Sequence, residues 1–379
     1  MKRIQNVKTT PGGWHRTDVI VIGGGQAGLS VSYHLAELGI DHLVLDAATA
    51  VGDAWRNRWD GLRLFSPASY DGLDGMPFPA ASGDLPTKDD MADYLRSYAA
   101  QFSLPVVSGA RVDALFRDGD DFVATCGARV FVARQVVVAM SNFQIPRIPH
   151  VGHGLAPGIR QLDATSYRNP AQLADGAVLV VGAGNSGAEI AKEVVATHPV
   201  MLAGNSTGEF PFAATSFMRL HILTPLLFGL VFPRILSVRT PIGRRVRPKL
   251  VSSGTPLIRV KAKDLAAIGV TRVGRIVGTS DGLPLPENGA ALEVANVIWC
   301  TGFSGGFSWI QLPIFDSTGE PLHERGVVNS EPGLYFVGLH FLTSMASAMV
   351  YGVGRDAERI AGLVGERVDA GASLPALRS

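Results

Sequence analysis

Short runs of branched apolar residues lead straight into glycine at two places in this chain. Asp18-Val-Ile-Val-Ile22 meets Gly23-Gly24-Gly25-Gln26-Ala27-Gly28, after which Leu29, Tyr33, Leu35 and Leu38 form an apolar helical stripe that stops at Gly39. Val178-Leu-Val-Val181 meets Gly182-Ala183-Gly184-Asn185-Ser186-Gly187, followed by Ile190, Val194 and Val195. Each copy predicts a buried strand, a tight turn and an amphipathic helix.

The remaining pattern fits around these units. Thr87 to Phe102 reads as a capped helix, with Thr87 as N-cap, Asp90 in the first turn, and Met91, Leu95, Tyr98 and Phe102 on one face. Short β segments are expected at 111–114, 122–126 and 130–132, with the turn Asp118-Gly119-Asp120 between the first two. Gln135-Val-Val-Val-Ala139 reads as a buried parallel strand. Val297-Ile-Trp-Cys-Thr-Gly302 and Gly333-Leu-Tyr-Phe-Val-Gly338 are further strands ending at glycine, and a helix is expected from Ser344 to Leu363. The fold class is therefore α/β, with two three-layer dinucleotide-binding units. The first is discontinuous, 1–160 and 296–379, and the second is inserted as 161–295.

Both loops read G-x-G-x-x-G, and each residue type in that spacing has a task. The first glycine permits the tight turn, the second lets backbone approach a pyrophosphate, and the third lets helix and strand pack closely. Free N–H groups at the helix start, at Gln26, Ala27 and Gly28 and at Asn185, Ser186 and Gly187, face the anion. His42-Leu-Val-Leu-Asp46 ends in a carboxylate 18 residues after Gly28, where an acid accepts the ribose hydroxyls of an adenosine half. The same offset in the second copy falls on Asn205, beside Ser206 and Thr207. No cation lies between Val200 and Gly208, so a 2′-phosphate there would need Arg219 or the run Arg244-Arg245-x-Arg247 to fold back.

Composition narrows the classes. Hydrophobic residues make up 46% and charged residues 18%, which suits a globular protein with a sizeable core. A net charge of +1 gives no electrostatic reason to expect nucleic acid as a partner. Cys126 and Cys300 are far apart, with no Cys or His at metal-ligand spacing, so neither a CxxC redox pair nor a metal site is read. The charged start and the lack of a long apolar run favour the cytoplasm. The segment 217–238 is the most apolar between the loops, but Pro225 and Pro233 interrupt it and Arg219, His221 and Arg234 lie inside. That excludes a spanning helix and leaves a tunnel lid, a homodimer contact, a membrane-surface patch or a pair of short helices covering core.

With the two fingerprints, the stretch Gly52-Asp53-Ala54-Trp55, the turn Thr301-Gly302-Phe303 and the ending Gly333-Leu-Tyr-Phe-Val-Gly338-Leu, the chain resembles the class B flavin-dependent monooxygenases. These include the flavin-containing and N-hydroxylating monooxygenases and their plant auxin-forming relatives. The resemblance is closest to small bacterial members and covers nearly the whole chain. It implies FAD in the first unit, NADPH in the second, and a flavin C4a-hydroperoxide that oxygenates a small organic substrate with O2. With Asn205 at the ribose position and no cation beside it, weak discrimination and measurable use of NADH are expected. Thr301, Gly302 and Gly338 join the cofactor contacts, and Trp55 stands either beside the isoalloxazine or in the core.

Two positions depart from the family pattern. Asp163 stands where the family has a histidine, and the segment Leu64-Phe65-Ser66-Pro67 lacks the asparagine found near the flavin in animal enzymes. Asp163 is expected to cap a turn or to pair with Arg160 or Arg168. Trp55, Arg63 and Ser66 are the residues expected near the reacting centre. A ferredoxin-type reductase, which needs no cysteine pair, and a flavin-binding redox sensor without turnover are the competing readings.

Overall fold

The computed structural model describes residues 9–10, 13–209, 224–253 and 256–372. Its first sheet is built on Trp14–Ile22, whose last four residues are fully covered, with His42–Leu45 and then Val106–Val107 in parallel on one side. On the other side lies Arg129–Val138, followed in parallel by Leu334–Phe336. Val19 and Val21 face the helices Gln26–Glu37, Lys88–Gln101 and Val350–Ala372, which contribute Leu29, Leu35, Met91, Leu95, Tyr98, Val353 and Ile360. Ile20 and Ile22 face the opposite way, into Leu115, Phe122, Phe131 and Phe336. Each such side chain, fully buried, is worth roughly 1.5–3 kcal/mol relative to exposure, so apolar coverage on both faces is what fixes the strand at the centre.

The second sheet is parallel throughout, in the order Thr271–Val273, Val200–Ala203, Val178–Val181, Asn296–Trp299 and Arg160–Asp163. The helices Asn185–Val194 and Ala262–Ala267 cover one face. Leu155, Ile159, Trp299 and the hairpin Ile276–Ser280/Leu283–Pro286 cover the other.

Several sequence expectations shift. Asn296–Trp299 falls outside the expected insert of 161–295, yet it is hydrogen-bonded beside Val178–Val181. The buried Asn296 side chain locks the start of that strand by exchanging hydrogen bonds of 2.8 Å with the backbone of Ala174. The segments expected at 130–132 and 135–139 are one strand, Arg129–Val138. Its first half pairs antiparallel with Asp121–Cys126, and its second half lies between parallel neighbours. The expected final helix begins later, at Val350, after a 3-10 turn Met345–Ala348 capped by Ser344. Thr87 caps its helix as expected, and Asp90 in the first turn returns the bond by accepting from the Thr87 backbone.

Of the apolar stretch 217–238, residues 217–223 lie outside the described ones. From Thr224 to Ile235 the chain is helical, and Phe228 and Phe232 pack on Phe341 and Met345, so this part covers core. Among the described residues, no helix is long and apolar enough to cross a membrane.

Candidate active site

The first and last glycines of the two loops share their constraints. Gly23 has φ +107° and Gly182 has φ +112°, a region costly for any residue with a side chain. A Cβ on Gly28 would stand 1.8 Å from the Gly23 carbonyl oxygen, and one on Gly187 would stand 1.8 Å from that of Gly182. Those four glycines are demanded by the fold itself.

The middle glycines are different. Gly25 and Gly184 have φ −78° and −80°, which any residue adopts, and each precedes the first residue of its helix without a capping side chain. A Cβ built on either meets nothing within 4 Å. No intramolecular contact requires glycine there, whereas a phosphate seated on the helix N-terminus would.

Around the first loop the chain supplies three walls. Asp46 follows directly on strand His42–Leu45, and its Oδ2 would lie 2.6 Å from a Cβ on Gly24, so the carboxylate covers that part of the loop. Burial raises its pKa, while backbone N–H groups of Ala48, Gly24 and Ala47 pull it back down. Trp55 Nε1 donates to Gln26 Oε1 at 3.2 Å, which ties the aromatic to the first residue of the glycine helix. Gly338, at φ +82°, would carry its Cβ 2.8 Å from that of Ala27, so the C-terminal segment closes directly on the loop. Asp46, Trp55 and Gly338, distant in sequence, thus meet at Gly23–Gly28.

The second loop has its own surroundings. Cys300 and Thr301 abut it, because a Cβ on Gly182 would stand 2.2 Å from the Cys300 carbonyl oxygen and 3.2 Å from the Thr301 nitrogen; Gly302 follows in the left-handed region, at φ +90°. The Asn185 side chain bridges Pro256 O and Ile258 N. Strand register corrects the expected equivalence of Asp46 and Asn205. Ile22 pairs with Leu45 and Val181 with Ala203, so the residue matching Asp46 is Gly204, and Asn205 lies one position beyond. The second unit reaches its strand end in one residue fewer, which a fixed offset does not register. Asn205 and Ser206 are exposed, and the buried Thr207 Oγ1 has no partner among the described residues.

The cation missing from 200–208 comes from the neighbouring strand. Leu202 pairs with Arg272, whose Nη2 donates to Gly204 O at 2.6 Å. Of the basic run that would otherwise have to fold back, Arg244 donates to Val238 O and Arg239 O. Arg219 lies outside the described residues. Only pairing of two strands about 70 positions apart reveals Arg272, and a local scan misses it.

A model of the pyridine nucleotide-disulphide oxidoreductase family matches residues 20–209. A CzcO-like oxidoreductase of Geobacillus kaustophilus is 37% identical over 352 residues, covering 91% of this chain and 97% of the relative. A probable indole-3-pyruvate monooxygenase of Arabidopsis thaliana, YUCCA4, is 28% identical over 84% of each chain. The solved flavin-containing monooxygenase from Stenotrophomonas maltophilia matches with a TM-score of 0.75 and 27% identity, over 93% of this chain and 99% of that one. The chain belongs to the class B flavin-dependent monooxygenase-like family.

As a member of that family it is an oxidoreductase, and its candidate catalytic side chains fall in unlike settings. Trp55 is at the first loop. Arg63 is exposed, donates to Leu85 O at 3.1 Å, and accepts from Arg259 through its own carbonyl, so it lies where the two units touch. Ser66 is buried and donates to Asp71 Oδ1. Asp71 is wholly buried, its Oδ2 has no partner among the described residues, and burial pushes its pKa up to about 7 despite the bond from Ser66. Sequence reading singled out the hydroxyl and missed the acid behind it, which no motif marks.

Asp163 caps a turn, one of the two roles expected of it. Burial alone would raise its pKa, but hydrogen bonds from Thr165 and Ser166 hold it lower. Arg160 and Arg168 turn instead to the carbonyls of Gln172 and Thr165. In this monooxygenase-like chain burial pushes the thiol of Cys126 up to about 11 and that of Cys300 up to about 12, which favours the protonated, less nucleophilic form of both.

Proposed function

We propose that the protein is an FAD- and NADPH-dependent monooxygenase that inserts one atom of O2 into a small organic substrate at nitrogen, sulfur, an activated carbon or a ketone. The observation that carries this reading is the pair of middle glycines, Gly25 and Gly184, each open on a helix N-terminus with no internal reason to lack a side chain. Two such cradles on adjoining units suit a flavin dinucleotide and a nicotinamide dinucleotide.

In this reading the first helix end and Gly25 seat the FAD pyrophosphate, Asp46 accepts from the adenosine ribose, and Gly338 closes over Ala27. Trp55 holds Gln26 in place, and the packed strand ends behind the loop exclude water. Gly184 and the second helix end seat the pyrophosphate of NADPH. Gly204 leaves the ribose edge without a carboxylate, and Arg272, with Ser206 and Thr207, supplies donors for a 2′-phosphate. Flavin, when bound, would supply the oxygen-activating chemistry. The chain's part is orientation and shelter.

The test is NADPH oxidation under isotopically labelled O2, with the substrate drawn from amines, thioethers, ketones and 2-oxo acids. One labelled oxygen in the product per NADPH consumed is the expected result. Rapid reduction of an artificial one-electron acceptor, with no label entering any product, would establish a reductase instead. The high thiol pKa values and the separation of Cys126 from Cys300 speak against a dithiol version of that alternative.

A further inference from the structure

We propose that an open cavity of about 450 Å³, lined by Arg239, Arg247, His323, Glu324, Arg325 and Leu342, is a binding site for an oxyanion-bearing small molecule, a carboxylate or a phosphate. It is built where the helical segment after residue 224 meets the C-terminal part of the first unit, and it is separate from both glycine loops in its residues. Its volume lies in the range of small-molecule pockets, roughly 300–1,000 Å³.

Positive charge is in excess there. Arg359 stands behind the lining arginines and donates to Arg325 O. Among the described residues none of Arg239, Arg247, Arg325 and Arg359 forms a salt bridge. The acids nearby are Glu324, exposed beside Arg325, and Asp356, buried and bonded to Thr343 Oγ1 at 2.7 Å. Four guanidinium groups against two carboxylates leave an excess that an anion would neutralise.

The backbone at Arg325 gives an independent reason. Glu324 and Val327 exchange backbone hydrogen bonds across Arg325-Gly326, and both central residues have positive φ, +52° and +92°. A turn of that kind favours Asn, Asp or Gly at its first central position. Arginine there carries conformational strain, and such strain concentrates at ligand-binding positions. Its Nε is buried and has no partner among the described residues, so that donor is unused.

His323 adds a neutral donor. Its Nδ1 accepts from Gly326 N at 3.2 Å, which puts the proton of the uncharged ring on Nε2. Burial, with Arg247 and Arg359 close by, keeps the ring uncharged down to about pH 4. The backbone beside Arg239 is pinned: Val238 N donates to Thr343 O at 2.9 Å and Met345 N to Leu236 O at 2.9 Å.

The test uses the full chain as purified and needs no turnover, so it stands or falls apart from the monooxygenase reading. Calorimetry at constant ionic strength would follow inorganic phosphate, phenylacetate and its uncharged analogue phenylacetamide. Saturable binding of phosphate or phenylacetate, but not of phenylacetamide, is expected. Tighter phosphate identifies a phosphoryl ligand, and tighter phenylacetate a carboxylic acid. Arg325→Asn should weaken the anion roughly tenfold or more while leaving the unliganded chain at least as stable, because asparagine suits that turn. Arg247→Gln should weaken the anion without unfolding. Absence of binding in the parent chain, or undiminished binding in the Arg325→Asn, Arg247→Gln double variant, would overturn the assignment.

Discussion

In the first glycine loop the second position is Gly24, and in the second loop it is Ala183. The difference follows from what stands opposite. Asp46 lies over Gly24 so closely that a side chain there would meet its carboxylate, whereas Gly204, the matching residue, has no side chain, and even a Cβ built on it would stand 3.5 Å from the Ala183 nitrogen. Identical backbone machinery is thus fitted with an acid in one copy and with space in the other. Under the proposed function the loop motif would seat a pyrophosphate, and the residue one step past the neighbouring strand would select which dinucleotide follows. The difference G-G-G against G-A-G would then be the imprint of that selection.

The largest effect should come from the shared part. Gly28→Val and Gly187→Val would each drive a side chain into a carbonyl oxygen, and each should cost at least ~3 kcal/mol in denaturant unfolding. Equal tolerance of either would break the equivalence of the loops.

Next come the middle glycines. Gly25→Val should leave a folded, colourless chain, with the melting temperature of cofactor-free protein little changed, since no protein atom occupies that space. Gly184→Val should stay yellow and lose NADPH-dependent flavin reduction. Full FAD occupancy in Gly25→Val, read from absorbance, would mean the first loop holds something else.

A smaller effect is expected at the ribose edge. Gly204→Asp should move the ratio of kcat/KM values toward NADH, and Arg272→Ala should cost NADPH ~1–3 kcal/mol of charge-assisted bonding while sparing NADH. Unchanged ratios in both would remove Arg272 and the strand end from nicotinamide selection.

The smallest effect is a pH slope. The Asp71 carboxyl is held up to about 7 against an ordinary value of 3.8. Between those values the folded chain keeps a proton that the unfolded chain has released, so stability is greatest below the window, falls as pH rises through it, and levels off above about 7. Asp71→Asn cannot titrate and should flatten melting temperature against pH across that range. A slope identical to the parent's would show that Asp71 is already charged when folded.

Much of the fold was legible because it rests on local rules. Buried strand runs, glycines at turn positions and the Thr87–Asp90 cap are visible within a dozen residues. Long-range pairing was not. Asn296–Trp299 joins the second sheet for reasons held in Val178–Val181, and Arg272 reaches Gly204 only because its strand lies beside Val200–Ala203. At the candidate site the same divide holds. The glycines and Asp46 stand in a motif, while Asp71 owes its character to burial that no spacing encodes. Asn205 shows how a correct repeat still misplaces a side chain by one position when the helices between differ in length.

The pairing of Leu334–Phe336 with Val136–Val138 sets an order on synthesis. When the ribosome has delivered the strand Asn296–Trp299, every strand of the second sheet exists and that unit can close. The first sheet is then still missing a central neighbour, and Val136–Val138 presents an unsatisfied edge to whatever else is nearby. The nascent flavin-type unit therefore has to wait, with its apolar strand exposed, through the making of the whole insert, and contacts that span such sequence distances form slowly. Chaperone demand during production, and aggregation of chains released early, should concentrate in that interval rather than after release of the complete chain.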